Sequence, residues 1–112
     1  MATEAQYPGA FILSEGPGVI SRDRVTIASG QNLAAGTVLG KITASGLFAA
    51  YDNAATDGTQ TAAAILYAAV DASGGNTPGA AITRLAEVDG NSLIGLDADG
   101  TADLAALNII VR

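Results

Sequence analysis

The acidic stretch over residues 97–103 comes nearest to a metal site in its residue types and spacing. Asp97, Asp99 and Asp103 surround Gly100, and carboxylates at alternating positions are typical of calcium-binding loops. The spacing departs from such a loop, because Gly100 comes too early and no glutamate follows at the end. The same acids suit the first turn of a helix, where carboxylates interact favourably with the helix dipole. We therefore assign no metal site to the chain.

A second segment, residues 55–60, places threonine hydroxyls beside an aspartate and a glycine. A nucleophilic hydroxyl needs a neighbouring group that accepts its proton, and the chain contains no histidine and no cysteine. Asp57-Gly58 between two β-like runs is more simply a tight turn. The other acids show no spacing that would mark one as a general acid and another as a base. The sequence therefore predicts no catalytic residue and a protein that is not an enzyme.

The rhythm Gly30-x-x-Leu33-x-x-Gly36-x-Val38 places two turns around a short extended piece. It resembles the hammerhead segment of biotinyl and lipoyl carrier domains, whose cofactor is attached to a lysine at the tip of a hairpin. Lys41, the single lysine of the chain, is expected inside the strand that follows, where a swinging cofactor would be badly placed. We predict no cofactor, and a lipoyl- or biotinyl-like carrier or assembly module stays open as an alternative.

Charge and hydropathy exclude two further classes of partner. The formal net charge is −6, and the five basic residues are spread singly along the chain, so no basic patch is expected to neutralise the phosphates of DNA or RNA. No apolar run reaches the length of a transmembrane helix, and the N-terminus does not resemble a signal peptide. We expect a soluble protein, made and used in a cytoplasm, that binds neither nucleic acid nor membrane.

The elements that would position these residues alternate between strand and turn from Arg24 onward. The run over 62–70 has a helical alternative because alanine favours helices, but strands on both sides favour a buried strand. Near the end, Thr101 could cap a short helix over 101–107. Strands about ten residues apart with glycine-rich turns indicate a mainly β fold: a small barrel or sandwich-like domain with one short C-terminal helix. The predicted strands cover residues 25–27, 38–43, 47–51, 62–70, 80–87 and 108–111.

Residues 1–22 differ from the β-rich domain predicted for residues 23–112. Glycine and proline are dense there and flank the apolar triplet Phe11, Ile12 and Leu13. One interpretation is a flexible leader without structure. The other is an arm that becomes ordered on a partner, because an apolar triplet between such residues can add as a strand to an exposed sheet edge.

Three blocks in succession, residues 25–42, 51–60 and 64–72, together resemble the head decoration proteins of lambda-type phages. The resemblance runs from about Gly18 to Arg112 and includes the helix-like segment followed by Ile109-Ile110-Val111-Arg112. It implies a structural virion protein that binds as homotrimers to the outside of the expanded head. The trimers would stabilise the capsid against the pressure of packaged DNA, after synthesis in the cytoplasm of the host bacterium.

The resemblance also implies a partner for the arm. In that family the N-terminal arm becomes ordered on the capsid, so we expect Phe11, Ile12 and Leu13 to contact the major capsid protein. A tail-associated virion adaptor is a further alternative that the same composition allows.

Overall fold

The computed structural model describes residues 11–15 and 21–112, and in this part the chain is mainly β with one α-helix. The predicted fold class is confirmed: five strands form a closed barrel, a short helix lies near the C-terminus, and a three-stranded sheet accompanies the barrel. No helix in these ranges is long and apolar enough to cross a membrane. The elements are β1 (Ile12–Glu15), β2 (Arg22–Ile27), β3 (Asn32–Leu33), β4 (Val38–Lys41), β5 (Phe48–Ala50), β6 (Ala62–Leu66), β7 (Val70–Asp71), β8 (Thr77–Ile82), β9 (Ala86–Val88), α1 (Ala98–Ala106) and β10 (Ile109–Val111).

The barrel runs in the order β2-β5-β4-β6-β8, and the pairing of β2 with β8 closes it. These two strands are antiparallel, with Arg22 opposite Ile82 at one end and Ile27 opposite Thr77 at the other. The first buried cluster contains three alanines and two valines among its eight residues, and small side chains suit a narrow barrel. It combines residues of the barrel strands with Val70 of β7 and the nearby Ala72, and its members are Val25, Ile27, Leu39, Ala64, Leu66, Val70, Ala72 and Ala81.

A second buried cluster joins the barrel, the three-stranded sheet and α1. In that sheet β9 is central, with β1 antiparallel on one side and β10 parallel on the other. Because the cluster takes residues from all three parts, its burial holds them together. Its members are Phe11, Val38, Tyr51, Ala62, Ile65, Ile82, Ala86, Val88, Leu104 and Ile109.

The predicted strand over 80–87 is wrong as one element, because the chain changes sheets within it. β8 ends at Ile82 in the barrel, and β9 begins at Ala86 in the three-stranded sheet. Between them Leu85 adopts a positive φ of 54°, and its carbonyl accepts a hydrogen bond from Ser21 Oγ at 2.8 Å. The run over 62–70 does contain a strand, as predicted, but β6 ends at Leu66.

The C-terminal helix begins before the predicted start at Thr101. Its N-cap is Asp97, whose side chain accepts a hydrogen bond from the Gly100 N–H at 2.7 Å. Thr101 lies inside α1, and its hydroxyl donates to the Asp97 carbonyl at 3.0 Å. Both residue types favour N-caps, so the prediction chose the wrong one of two candidates.

Candidate functional site

The apolar triplet predicted to bind the capsid lies at the edge of the three-stranded sheet. Phe11 is fully buried in the shared core, Ile12 is half-buried, and the Leu13 side chain is 56% exposed. Ile12 is opposite Val88 and Ser14 is opposite Glu87, so the register shifts at Leu13. A bulge of this kind breaks the regular alternation of side chains. Of the three residues, Leu13 is the one whose side chain is accessible to a partner.

The predicted boundary between an arm of residues 1–22 and a body of residues 23–112 divides the strands of this sheet between the two. β1 belongs to the predicted arm of residues 1–22, yet it pairs with β9 of the body, and the Asp89 N–H donates to the Phe11 carbonyl at 2.8 Å. Residues 1–10 and 16–20 of the predicted arm lie outside the described residues. A role of the arm in binding the capsid stays a prediction.

Two more exposed apolar side chains lie on or next to the same sheet. Ile110 on β10 lies opposite Glu87 and is 42% exposed, and Leu85, immediately before β9, is 41% exposed. We call Leu13, Leu85 and Ile110 the outer-sheet patch. Glu87 accepts a hydrogen bond from Arg112 at 2.9 Å, and this pairing raises the pKa of the arginine. The two charges on this face thus compensate each other.

The acids that looked like a calcium loop instead attach α1 to the barrel. Tyr51 donates its hydroxyl hydrogen to Asp97 Oδ1 at 2.8 Å, and Asn53 donates to Asp99 Oδ2 at 2.8 Å. Asp103 Oδ2 accepts from the Ala62 N–H on β6 at 2.9 Å. Each carboxylate therefore has a structural partner, and residues 11–15 and 21–112 contain no group of three metal-ligating side chains.

Two pKa values follow from these contacts. Hydrogen bonds from the Gly100 N–H and from Tyr51 hold the pKa of Asp97 below its usual value. Burial, together with the hydrogen bond to Asp97, raises the pKa of Tyr51 to about 12. At neutral pH Asp97 therefore stays ionised and Tyr51 stays protonated, and these are the two forms that make the hydrogen bond between them.

Asp57, considered above for catalysis, closes a turn. Its Oδ1 accepts hydrogen bonds from the Thr59 N–H at 3.0 Å and from the Thr59 hydroxyl at 2.6 Å. The same two bonds hold the pKa of Asp57 below its usual value. An aspartate that bonds the backbone two residues ahead is a common turn device, and it explains why this segment contains Asp-Gly.

Lys41, the residue on which the carrier alternative depends, is the last residue of β4 and lies opposite Phe48 of β5. Its Nζ is 5.9 Å from the centre of the Phe48 ring. The turn that joins the two strands follows it, and the Gly46 N–H donates there to the Ile42 carbonyl at 2.8 Å. Lys41 therefore does not occupy the tip of the hairpin.

A surface groove of about 390 Å³ lies over the β2–β8 pair, and the sequence analysis did not predict it. Arg22 and Arg24 line it, and Pro78, Gly79 and Ala80 provide small neighbours on β8. The Arg22 guanidinium lies 4.1 Å from the centre of the Tyr67 ring, a cation–π distance. Arg22 and Arg24 stand two positions apart on β2, so strand alternation turns both side chains to the same face, and the small residues of β8 border the groove beside them.

Sequence reasoning also missed Ile110 and Leu85 as surface residues. For Ile110 a signal was present, because strand alternation from buried Ile109 turns the next side chain to the opposite face. For Leu85 there was none, because the predicted strand over 80–87 hid the change of sheet.

Comparison with known proteins gives one match of nearly full length. A family model described as bacteriophage lambda head decoration protein D matches residues 1–109. Among curated protein sequences, none matches the chain at a significant level.

Proposed function

Because the chain belongs to the bacteriophage lambda head decoration protein D family, whose members are structural proteins of the phage capsid, we propose that it binds as homotrimers to the outside of the expanded head. There it stabilises the shell of major capsid protein against the pressure of packaged DNA. The observation that carries the proposal is the family match over residues 1–109. The protein is made in the cytoplasm of the host bacterium and ends on the outer surface of the virion.

The described surface supports contact with protein rather than with nucleic acid. The chain carries a formal net charge of −6, which repels phosphate backbones. Leu13, Leu85 and Ile110 provide exposed apolar area, the usual material of protein contacts. An accessory subunit needs this kind of surface to attach to an assembled shell.

The capsid contact of the N-terminal segment depends on Phe11, Ile12 and Leu13, each in a different way. Phe11 is buried in the shared core, so its contribution is to fix β1 on β9. Leu13 is exposed at the bulge and contacts the capsid directly, and Ile12 contributes through the smaller part of its surface that is accessible. We propose the same capsid-binding role for residues 1–10, which precede β1 in the chain.

Trimerisation multiplies these contacts. The three N-terminal segments of one trimer act at high effective concentration, so that individually weak contacts add up to stable attachment. A trimer on a local three-fold axis bridges neighbouring capsid subunits, and separating those subunits then requires breaking its contacts as well.

Co-sedimentation of the purified full-length protein with undecorated heads tests the proposal. We expect saturable binding to expanded heads and none to unexpanded proheads, because only expansion creates the binding sites. Light scattering of the free protein and counting of bound subunits per three-fold axis test the trimer. Equal binding to both kinds of particle, or to neither, would contradict head decoration.

A further inference from the structure

Leu85 is the conformational exception of this fold. In the described part of the chain, residues with positive φ are glycines or asparagine apart from Leu85. A left-handed backbone costs about 1–2 kcal/mol for a residue with a bulky side chain, and glycine or asparagine avoids most of that cost. The chain uses the better-suited residues at Gly30, Gly36, Gly46, Gly58, Gly75, Gly95 and Asn108.

The surrounding structure holds Leu85 in this conformation. The Ser21 hydroxyl donates to its carbonyl at 2.8 Å, and its own N–H donates to the Leu107 carbonyl at 3.4 Å. The preceding residue, Arg84, forms an ion pair with Asp23 of β2. These contacts favour the left-handed backbone at this position, and an asparagine here would satisfy the same backbone bonds with less strain.

Packing within the monomer does not account for the leucine, because 41% of its side chain remains exposed. In the described part of the chain four large apolar side chains are exposed. Leu13 and Ile110 lie on the two outer strands of one three-stranded sheet, and Leu85 immediately precedes its central strand. A strained backbone beneath an exposed apolar side chain is a combination found where function, rather than stability, selects the residue.

We propose that the outer-sheet patch, Leu13, Leu85 and Ile110, is a rigid apolar surface that docks on the major capsid protein, with Leu85 retained for binding at the expense of monomer stability. The inference rests on the proposed function and extends its contact beyond the N-terminal segment to β10 and the residue before β9.

The association of this family with the phage capsid favours the capsid as the occupant. Leu13 of the patch belongs to β1, which pairs with β9, so a partner that binds at Leu13 also lies against this sheet. Glu87 and Arg112 bond each other at 2.9 Å and remain partly exposed, so a partner that covers the apolar side chains and leaves this pair at the rim avoids the cost of burying charges.

The test uses full-length protein with Leu85→Asn, Ile110→Thr, or both. The matched control is Ile94→Thr, because Ile94 is 46% exposed but lies outside this sheet. For each variant we would measure the concentration that half-saturates expanded heads, the melting temperature of the free protein and its oligomeric mass.

The double variant should need at least about tenfold more protein for half-saturation, since buried apolar anchors dominate interface energies. Leu85→Asn should melt at the wild-type temperature or above it, and Ile94→Thr should bind heads as the wild type does. The oligomeric mass should stay unchanged in all of them.

Three results would overturn the inference. Wild-type binding by the double variant would remove the patch from the capsid contact. A lower melting temperature for Leu85→Asn would make Leu85 an ordinary packing residue, and loss of the oligomer would place the patch between subunits. If the wild-type protein itself fails to bind heads, the proposed function fails together with the inference. If the wild type binds and the double variant binds equally well, only the inference fails.

Discussion

The Tyr51 hydroxyl and the Asp97 carboxylate form a 2.8 Å hydrogen bond that joins the barrel to the N-terminus of α1. The same carboxylate oxygen accepts the Gly100 N–H at 2.7 Å, so one side chain both caps the helix and fixes it in place. Leu104 of α1 is fully buried in the shared core. The position of the helix therefore depends on Asp97 and on the apolar contact of Leu104.

Tyr51→Phe should lower the free energy of unfolding by about 1 kcal/mol, since it deletes one hydrogen bond and keeps the buried ring. Asp97→Ala should cost more, because it also removes the helix cap. Urea denaturation measures both, with Asn53→Ala as the control for a hydrogen bond at the exposed Asp99. A double variant as unstable as the sum of the two single variants would show that Tyr51 and Asp97 are not coupled.

Stability should fall in acid. The folded-state pKa values of Asp57, Asp71 and Asp97 are all held low, in each case mainly by hydrogen bonds the carboxylate accepts. An aspartate in an unfolded chain has a pKa of about 3.9. Because the folded pKa values are lower, the native state binds fewer protons than the unfolded state, and this stabilises the fold above that pH. This contribution is lost as the pH falls through the lower folded values.

Melting temperatures recorded from neutral pH down to about pH 3 test the acid prediction. Asp97→Asn should reduce the dependence on pH, whereas Asp52→Asn, at an exposed position, serves as the control. A melting temperature independent of pH over this range would be inconsistent with these three carboxylates acting as described.

A separate loss is expected in strong base. The pKa of Tyr51 is about 12 in the folded protein, against about 10 in an unfolded chain. The raised folded value contributes stability that is complete below the unfolded pKa and lost as the pH rises through the folded one. The ultraviolet absorbance of tyrosinate should show one late-titrating tyrosine that is missing in Tyr51→Phe. Early titration of all three tyrosines would contradict the burial of Tyr51.

Gly40 is required where the loop after β5 crosses β4. A Cβ at this position would lie 2.7 Å from the Thr59 carbonyl oxygen and closer still to Thr59 Cα, and backbone atoms cannot move aside easily. Gly40→Ala should therefore cost about 2–3 kcal/mol of unfolding free energy, as overpacking does in other cores. The control is Gly74→Ala, because a Cβ there meets nothing within 4 Å. Equal urea midpoints for the two variants would contradict this close approach.

Substitutions at Phe11 and at Leu13 should have different effects, the first on stability and the second on binding to the capsid. Phe11→Ala removes a fully buried ring and should cost about 3–5 kcal/mol. Leu13→Ala changes an exposed side chain and should alter stability by no more than about 0.5 kcal/mol, while weakening attachment to expanded heads. Deleting residues 1–10 should likewise leave a folded protein, since Phe11 and β1 remain. Equal melting temperatures for Phe11→Ala and Leu13→Ala would mean that β1 is not part of the folded body.

The sequence predicted the elements whose signals are local. Strand alternation and glycine-rich turns located most barrel strands, and the Asp57-Gly58 turn lies where predicted. The sequence alone did not locate the start of α1, because Asp97 and Thr101 are both suitable N-caps. Asp97 is the cap in the structure, and its partner Tyr51 is 46 positions away in the chain.

The change of sheet at Leu85 had no local signal. A leucine between strand-like residues predicts continued strand, and a left-handed turn is signalled by glycine or asparagine. The conformation follows from contacts with Ser21 and Leu107, which only the tertiary fold supplies. The pairing of β1 with β9 depends in the same way on the burial of Phe11 among residues from distant parts of the chain.

The central claim is that this protein reinforces the expanded head, and DNA retention by filled heads tests it most directly. Heads packaged with full-length DNA would be heated, or treated with a chelator, with and without saturating full-length protein, and the release of DNA would be followed. We predict that decorated heads keep their DNA at temperatures and chelator concentrations at which undecorated heads lose it. Identical release curves, with binding confirmed in the same samples, would contradict a stabilising role.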